Sequence, residues 1–564
     1  MVGGAIAASA LAPEPTATGV VASRAVPTEA APPSTPLLRH GVVGAAAGVN
    51  PLTAATRTER DLAALVFAGL VRLGPDQTVV ADLAARWDAS PDGRTWTFEL
   101  RDDARWHDGA PVVARDVTFT VDLLGDPEYA GPAAASWRDV SATAVDELTV
   151  RFELETPIGG FLEAARQPIL PSHLLVGVPV TELANHPFNS RPIGAGPYRL
   201  VSLDAEHAVL EPAAARTPAA PSPTPGAGLG DPLATPPLVG PVRPPDRAAD
   251  LDVRFFPDVV ALTSAWQAGE IDMATGLPPD VARRLAARAD SRLLRYPTSI
   301  LTAVILNVRP DHPELRDPAV RRALLEAIDR SALLGQAWDG QAALADAPIP
   351  PVSWLFDGEA SPAIPYDRRG AAEALGEAGW TPADEQWIAP GGDAPYTLEL
   401  LSPDVATNPA GFTAGASVAA DWRRIGLTAT HVPLPPGELV GERLRKTLFT
   451  AAVVDVNVGL DPDLYPLLAS SQTTSRGLNL GGVIDADLDR LLEAARAPGS
   501  DEARRAAYRA LQERLATHQY ALPLAFRDEL VLVRDTVSRV TPRQVADAGD
   551  RFWDVLAWRL AAGR

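Results

Sequence analysis

The sequence contains no cysteine among its 564 residues. This absence excludes disulfide bonds, zinc sites with cysteine ligands, iron–sulfur clusters and a thiol nucleophile. It also leaves no cysteine for lipid modification within this sequence, so anchoring through a lipidated cysteine is not expected from these residues. No stretch of about 18 apolar residues runs without a charged residue, so the sequence predicts no membrane-spanning helix.

Positive charge is scarce as well. The chain has 50 Lys and Arg residues against 71 Asp and Glu residues, which gives a formal net charge of −21 at pH 7. An acidic chain repels the phosphate backbone of nucleic acids, and such partners are held mainly by basic surfaces. We therefore expect no nucleic-acid partner.

Catalytic and metal-binding motifs form a third absence. The sequence has no Gly-x-Ser-x-Gly elbow, no His-Glu-x-x-His helix, no phosphate-binding Walker loop and no EF-hand spacing. Its 8 histidines are scattered, and no two of them have the i, i+4 spacing that places two metal ligands on one helix face. We expect no catalytic residue, no metal site and no cofactor.

The composition is that of a folded protein, with 46% hydrophobic and 21% charged residues. A chain of this length exceeds one compact core, so we expect several lobes. Two stretches rich in Pro, Ala, Thr and Gly, 13–36 and 212–246, bury too little surface to offset the entropy of ordering. The first predicts a disordered or signal-remnant tether over 1–37, and the second predicts an insertion in a surface loop. Ala10-Leu11-Ala12 is similar to the end of an export signal.

Hydrophobic periodicity predicts both helices and strands. Trp96, Phe98 and Leu100 alternate with polar residues, which is the period of a half-buried strand. Asp317 followed by Pro318 is typical of a helix start, and an apolar stripe follows at helical spacing. The sequence therefore predicts a mixed α and β protein without the regular strand–helix alternation of a barrel.

An ordered series of short motifs runs through the chain. Several of them are turns on any interpretation. The series is Asn50-Pro51-Leu52, Trp106-His107-Asp108-Gly109-Ala110-Pro111, Gly194-Ala195-Gly196-Pro197-Tyr198, Trp266-Gln267-Ala268-Gly269-Glu270, Val320-Arg321-Arg322-Ala323-Leu324, Glu377-Ala378-Gly379-Trp380 and Ile425-Gly426-Leu427.

In order and spacing, these motifs resemble the large extracytoplasmic solute-binding proteins of ABC importers (family 5), which include the dipeptide-, oligopeptide- and nickel-binding proteins. The resemblance runs from about Leu38 to the C-terminus and leaves out the proline-rich insertion. It implies a three-lobed, periplasmic-binding-protein-like α/β fold with a hinged interlobe cleft. The implied boundaries are 38–52, 191–296 and 522–564 for lobe I, 53–190 for lobe II and 297–521 for lobe III.

The resemblance also implies a set of ligand-binding residues. Peptide-binding members hold the free amino group of the ligand with an Asp about three residues before an Asp-Pro pair. The pair here is Asp461-Pro462, and the counted position is Val458. Because valine cannot accept a hydrogen bond from an ammonium group, this clamp is missing unless Asp455 or Asn457 replaces it.

Four further residues are candidates on the same resemblance. Thr56, Arg57 and Thr58 lie on the loop that in relatives enters the second lobe beside the cleft, and Asn479 corresponds to a turn that contains Asn in the family. Each candidate has a structural alternative: a solvated loop for 56–58, a backbone cap for Asn479, a solvent-facing strand end for Asp455, and turns for Asn457 and Asp461.

The function implied by the resemblance is a monomeric solute receptor outside the cytoplasm, in the periplasm or at the outer face of the membrane. It would capture a peptide or another small molecule between two lobes and deliver it to the permease subunits of an ABC transporter. Two alternatives stay open. One is a ligand-binding sensor or scaffold protein on the cell surface, and the other is a carboxylate-based hydrolase with a closing cleft.

Overall fold

The computed structural model describes residues 36–75, 78–129, 131, 137, 139–158, 160–213, 248–384, 386–474, 477–497 and 499–561. The predicted tether lies outside the described residues up to residue 35, and the predicted insertion lies outside them from residue 214 to its end at 246. The predicted bounds were wrong at their ends, because Leu37 begins a strand that pairs with the sheet and Pro212 ends another.

Strands occur along the whole described chain. They are β1 Leu37–Val43, β2 Val71–Leu73, β3 Val79–Ala81, β4 Ala84–Ala89, β5 Thr95–Leu100, β6 Val140–Ala144, β7 Thr149–Leu154, β8 Tyr198–Leu203, β9 His207–Pro212, β10 Asp250–Phe256, β11 Met273–Thr275, β12 Ser291–Leu306, β13 Ala342–Leu344, β14 Thr381–Ala383, β15 Gln386–Ile388, β16 Thr397–Pro403, β17 Thr428–Leu434, β18 Ala451–Asn457, β19 Ala521–Arg534, β20 Val537–Ser538 and β21 Arg559–Leu560.

Helices alternate irregularly with these strands. The α-helices are α1 Arg57–Val66, α2 Ala114–Gly125, α3 Phe161–Ala164, α4 Ser172–Leu175, α5 Val259–Ala268, α6 Pro279–Ala286, α7 Pro318–Glu326, α8 Arg330–Trp338, α9 Arg368–Glu377, α10 Pro409–Arg424, α11 Tyr465–Leu468, α12 Ala486–Arg496 and α13 Asp501–His518. Short 3₁₀-helices span Val180–Asn185, Pro187–Ser190, Pro313–Leu315, Ser470–Gln472 and Ala548–Ala557, and a π-helix spans Gly437–Leu444.

The mixed α and β class predicted from the periodicity is confirmed. In the described chain, an 11-stranded sheet has the order β17-β16-β18-β12-β19-β11-β1-β10-β9-β8, with β13 also paired to β19, and a 4-stranded sheet has the order β4-β5-β7-β6. Trp96, Phe98 and Leu100 lie on β5 with every second residue buried. Asp317 caps α7 by accepting a hydrogen bond from the Ala319 N–H at 2.8 Å.

The two longest strands, β12 and β19, pair antiparallel through the middle of the large sheet. Their register shifts at two places near its centre, by one residue between Thr302 and Ala303 and by more between Pro297 and Leu301. At the larger shift, Pro297 pairs with Asp528, but the next pair is Leu301 with Phe526. Residues 298–300 therefore lie opposite Arg527 alone. Such a bulge interrupts the ladder and increases local bending and twist.

The hydrophobic cores change at this register break. Tyr296, on one side of it, belongs to the core that contains β1, α1 and β5. On the other side, Leu301 and Phe526 belong to a core with α12 and α13, while Val304 and Leu522 belong to a third core with α7 and α10. Each of the two long strands therefore contributes residues to more than one hydrophobic core, with a different core on each side of the register break.

The first of these bodies depends on a close approach between the Gly194-Ala195-Gly196 motif and the end of α1. The Gly196 N–H donates to the Val66 carbonyl oxygen at 2.8 Å. A Cβ at Gly196 would lie 2.6 Å from the Leu65 carbonyl oxygen, and one at Gly194 would overlap the carbonyl oxygen of Val66. The motif therefore requires glycine because the two backbones touch.

Helix α1 is also held by a buried ion pair. Arg551 donates two hydrogen bonds to the Asp61 carboxylate, at 2.7 and 2.5 Å, and both side chains are almost fully buried. Burial alone would raise the pKa of Asp61, but Arg551 and Arg57 outweigh it and hold the pKa below its usual range. His40 lies close by, with its Nε2 3.1 Å from Thr275 Oγ1.

A pair of Gly→Ala substitutions tests the backbone contact. Gly194→Ala places a methyl group against main-chain atoms that cannot move independently, and we expect a loss of at least about 3 kcal/mol in the free energy of unfolding, or failure to fold. Gly335→Ala is the matched control, because a Cβ there meets no atom within 4 Å and Ala favours the helix. Urea unfolding of both variants is the measurement, and equal stability would contradict this explanation.

His40 predicts a specific pH dependence of stability. Burial, and secondarily Arg551, lower the pKa of His40 from 6.5 to about 3. The unfolded state therefore binds one proton more than the folded state between these values, and stability that is complete above pH 6.5 is lost as the pH falls toward 3.

We expect the unfolding free energy of the wild type to fall below pH 6.5 more steeply than that of His40→Gln, by about 1.4 kcal/mol per pH unit. Urea titrations at pH 7, 6, 5 and 4 give both slopes. Parallel slopes would show that His40 does not remain neutral in the folded protein.

Candidate functional site

Strand β18 has a neighbour on both sides only at its beginning. On one side it pairs with β12 along its whole length, from Ala451 to Asn457. On the other side, β16 pairs with it only at Ala451 and Ala452. Beyond that point, in the described chain, no strand pairs with this side, and the sheet opens.

The hydrogen-bond pattern shows which groups face the opening. The Val458 N–H donates to Ser299 O at 3.1 Å, and the Asn307 N–H donates to Thr450 O at 2.9 Å. In an antiparallel ladder, alternate residues direct their N–H and C=O groups to opposite sides. Asp455 and Asn457 therefore present theirs to the open side beyond the last pair with β16, with the two-residue period to which an extended chain can pair.

The carboxylate of Asp455 joins three separate segments at this edge. It accepts hydrogen bonds from Thr302 Oγ1 at 2.6 Å and from Asn408 Nδ2 at 3.1 Å, and it lies 3.2 Å from Arg527 Nη1. Its negative charge is therefore matched by Arg527. Asp455 braces the edge and is not an unpaired counter-charge for an ammonium group.

A second ion pair follows on the same strand. Glu529, two residues after Arg527 on β19, pairs with Arg57 at the start of α1. Arg57 keeps 34% of its side-chain surface exposed. Near its register break, β19 is therefore joined by ion pairs to two other elements. Arg527 pairs with β18, and Glu529 pairs with α1.

Beside the open edge of β18 lies a cavity of about 550 Å³. Most of its wall is formed by aliphatic side chains from the face of β12 and β18, the π-helix, α11, the 478–483 loop and the end of α13. These include Leu301, Ala303, Ile305, Leu439, Leu444, Val454, Val456, Leu464, Leu467, Leu468, Leu480, Val483 and Leu515. Thr407, Pro436, Val440, Asp455 and Asn457 are exposed and form its rim.

The structure brings four of the eight residues predicted from the sequence to this cavity: Asp455, Asn457, Val458 and Asn479. Asn457 accepts a hydrogen bond from the Gly459 N–H at 3.0 Å through its side chain, which is a turn contact. Val458 is 5% exposed and packs among the residues of a hydrophobic core.

Asn479 is buried, and its side-chain amide binds only main-chain groups. Its Nδ2 donates to the carbonyl oxygens of Leu468, Ala469 and Val483 at 2.9 to 3.1 Å, and its Oδ1 accepts from the Val483 N–H at 3.0 Å. This is the backbone-capping alternative considered for the residue. It holds one wall of the cavity in place.

The other four predicted residues lie outside the cavity lining. Thr56 is the N-cap of α1 and forms a capping box with Glu59. Thr58 is buried, and Arg57 pairs with Glu529. Asp461 forms a bidentate ion pair with Arg504 at 2.7 and 2.6 Å.

Asp461 also marks a contact between two distant loops. A Cβ built at Gly160 would lie 3.3 Å from Asp461 Cγ, so the loop before α3 touches the loop after β18. Burial raises the pKa of nearby Glu163; Arg166 opposes this, and the carboxylates of Asp550 and Asp461 add to it. The two loops meet where several charged groups are partly withdrawn from water.

Sequence reasoning missed Thr302, Asn408, Arg527 and the cavity itself. One signal was available for Arg527. Arg527-Asp528-Glu529 interrupts a strand that is otherwise apolar, and charged residues within a buried strand point to a special position. Thr302 and Asn408 carry no such signal, because only the fold brings them to Asp455.

Carboxylates lining the cavity are matched by arginines. Asp346 lies 3.2 Å from Arg330 Nη2, as Asp455 does from Arg527. Among the described residues, no group of three or more His, Cys, Asp or Glu side chains is arranged to hold a metal ion. Within the same residues, no helix combines the length and apolarity needed to cross a membrane.

Comparison with known proteins gives one family. The model described as "Bacterial extracellular solute-binding proteins, family 5 Middle" matches residues 78–477, which is more than half of the chain. A putative ABC transporter peptide-binding protein of Brucella ovis is 28% identical over 307 residues, covering 54% of this chain and 53% of the relative. The match thus spans about half the length of that relative.

The oligopeptide-binding protein AppA of Bacillus subtilis is 23% identical over 494 residues, covering 85% of this chain and 84% of AppA. Its solved structure with a nonapeptide has a TM-score of 0.73 at 20% identity, over 93% of this chain and 99% of that chain. NikZ from Campylobacter jejuni, solved with Ni(L-His), also has a TM-score of 0.73, at 22% identity and the same coverage. These structures share the multi-lobed fold.

The structural role of Asn479 can be measured directly. Asn479→Ala removes the amide donor from the carbonyl oxygens of Leu468 and Val483 and the acceptor of the Val483 N–H, whereas the Ala469 oxygen keeps the Gln472 N–H. We therefore expect a loss of about 2–4 kcal/mol in the free energy of unfolding. Asn457→Ala is the matched control and should change stability by less than about 1 kcal/mol, because Asn457 is exposed. Urea unfolding provides both values, and an unchanged Asn479→Ala protein would contradict the capping role.

Proposed function

The chain belongs to the family 5 bacterial extracellular solute-binding proteins, and on that premise we propose that it is the solute receptor of an ABC importer. It captures a peptide or a peptide-like molecule and delivers it to the permease subunits. The family consists of solute-binding proteins rather than enzymes. The site requires no bond-making, because the ligand is gripped, carried and released unchanged.

Capture depends on closure of lobes about the register break of β12 and β19. The proposed lobes are 38–52, 191–296 and 522–564 for lobe I, 53–190 for lobe II and 297–521 for lobe III. The change of hydrophobic core at the register break supports a hinge at that point, because bending there leaves each core intact. The contact between Gly160 and Asp461 supports a closed form in which lobes II and III meet.

The observation that carries the ligand class is the open edge of β18. An extended peptide pairs with such an edge through main-chain hydrogen bonds that do not depend on its sequence. Asp455 and Asn457 offer this pattern beside the hinge. AppA, which has the same fold, was solved with a nonapeptide. The Ni(L-His) of NikZ is a different ligand class, and an extended strand edge favours a peptide over a compact chelate.

We propose that the protein works outside the cytoplasm as a monomer that binds its ligand and then delivers it to the permease. Family membership supports the compartment. The acidic composition supports the absence of a nucleic-acid partner.

The main-chain pairing is tested with two substitutions at one residue. Asn457→Ala and Asn457→Pro both remove the side-chain bond to Gly459, but only proline also removes the outward N–H. Because this N–H is not part of the ladder with β12, proline is tolerated there as on an edge strand.

We expect isothermal titration calorimetry with a panel of tri- to nonapeptides to find ligands of the wild type. Asn457→Ala should bind them with affinity within about threefold of the wild type, and Asn457→Pro at least about tenfold more weakly, because a hydrogen bond to the bound chain is lost. Circular dichroism controls for folding. Heat with a nickel–histidine chelate and none with any peptide would defeat the peptide assignment.

A further inference from the structure

We propose that the cavity beside β18 is a specificity pocket that accepts one large, uncharged apolar side chain of the bound peptide. The proposal rests on the function proposed above, because the peptide main chain on the edge of β18 brings the side chain to the pocket. It adds the chemical class of one ligand side chain, which neither the family description nor the names of the relatives specify.

The position of the cavity supports this occupant. Asp455 and Asn457, whose main-chain groups face the open side, also form part of the cavity rim. A chain paired with this edge therefore runs along the mouth. Since successive side chains of an extended strand point to opposite faces, every second ligand residue can project into the cavity.

The lining determines the polarity of the occupant. The wall is mainly aliphatic, from β12, the π-helix, α11 and the end of α13. An apolar side chain placed against this wall gains dispersion contacts with it and is transferred out of water, and both effects favour binding. The volume of about 550 Å³ exceeds a packing defect and lies in the range of roughly 300–1,000 Å³ that is typical of ligand sites.

Charged groups are excluded because the polar groups of the lining are already engaged. Asp346 and Asp455 are matched by Arg330 and Arg527. The Asn479 amide is bound to main-chain groups on both sides. Gln519 donates to the Ala516 carbonyl oxygen, and the Tyr520 hydroxyl donates to Asp485.

A charged side chain that enters the pocket would lose its hydration. Among the described residues of the lining, it would find no oppositely charged group that is not already paired. Such a transfer is strongly unfavourable. The same reasoning applies to the ammonium group of a free N-terminus, so the amino end of the ligand must stay outside this pocket.

The test compares peptides that differ in one side chain. An alanine pentapeptide is the host, and Phe, Leu, Lys or Glu replaces each alanine in turn. Calorimetry with the full-length protein should find at least one position at which Phe and Leu bind about 10- to 100-fold more tightly than Ala, as expected for burial of such side chains. Lys and Glu at that position should bind more weakly than Ala.

Two substitutions on α13 show where the preference arises. Ala516 lines the cavity and is half-buried, and Ala510 is half-buried on the same helix but does not line it. Ala516→Phe fills the pocket, so the Phe peptide should fall to the affinity of the alanine host while the host itself is unchanged. Ala510→Phe should preserve the wild-type preference.

The outcomes separate the two proposals. If no peptide of any composition binds to folded protein, the proposed function fails. If peptides bind but Phe, Leu, Lys and Glu are equivalent at every position, or if Ala516→Phe keeps the preference for Phe, the function stands and the specificity pocket is wrong.

Discussion

The constraint on which the structure depends is the pairing of β12 with β19. These two strands are the longest of the described chain, and they run through separate hydrophobic cores. A continuous ladder would make the bodies on either side one rigid unit. The register break at 297–301 interrupts that ladder where the cores change, so bending at this point disturbs few packed side chains. The proposed capture by closure rests on this arrangement, because a ligand held by both sides would stabilise the closed form by its extra contacts.

Near the register break, arginine side chains form ion pairs with carboxylates of neighbouring elements. Arg527 reaches β18 through Asp455, and Arg57 reaches β19 through Glu529. Arg551 and Asp61 lie behind them as a buried pair that fixes α1. Removing one partner of such a buried pair strands a charge away from water, which is more costly than the net gain from forming the pair. The chain has an excess of 21 negative charges, but the two carboxylates that line the proposed pocket, Asp346 and Asp455, are both matched by arginines.

Local patterns were sufficient for much of the fold. The alternation on β5 and the cap at Asp317 depend on neighbours in sequence, and both are confirmed. Gly194 and Gly196 belonged to a recognisable motif, but their reason lies in contact with the end of α1, which no local pattern reveals. Candidate residues such as Thr56 and Asn479 were located by family position. Their observed contacts are to the chain itself: a helix cap for one and three carbonyl oxygens for the other.

The sequence by itself determined what this protein could not contain, which short-range elements it forms and which family it resembles, because composition, periodicity and motif order are properties of neighbouring residues. Only the tertiary structure decided the chemistry of the site. Thr302, Asn408, Asp455 and Arg527 meet from four distant segments, and an open strand edge exists only where a neighbouring strand diverges. An unpaired strand edge and a cavity depend on how segments that are distant in sequence pack together. Local sequence patterns do not determine that packing.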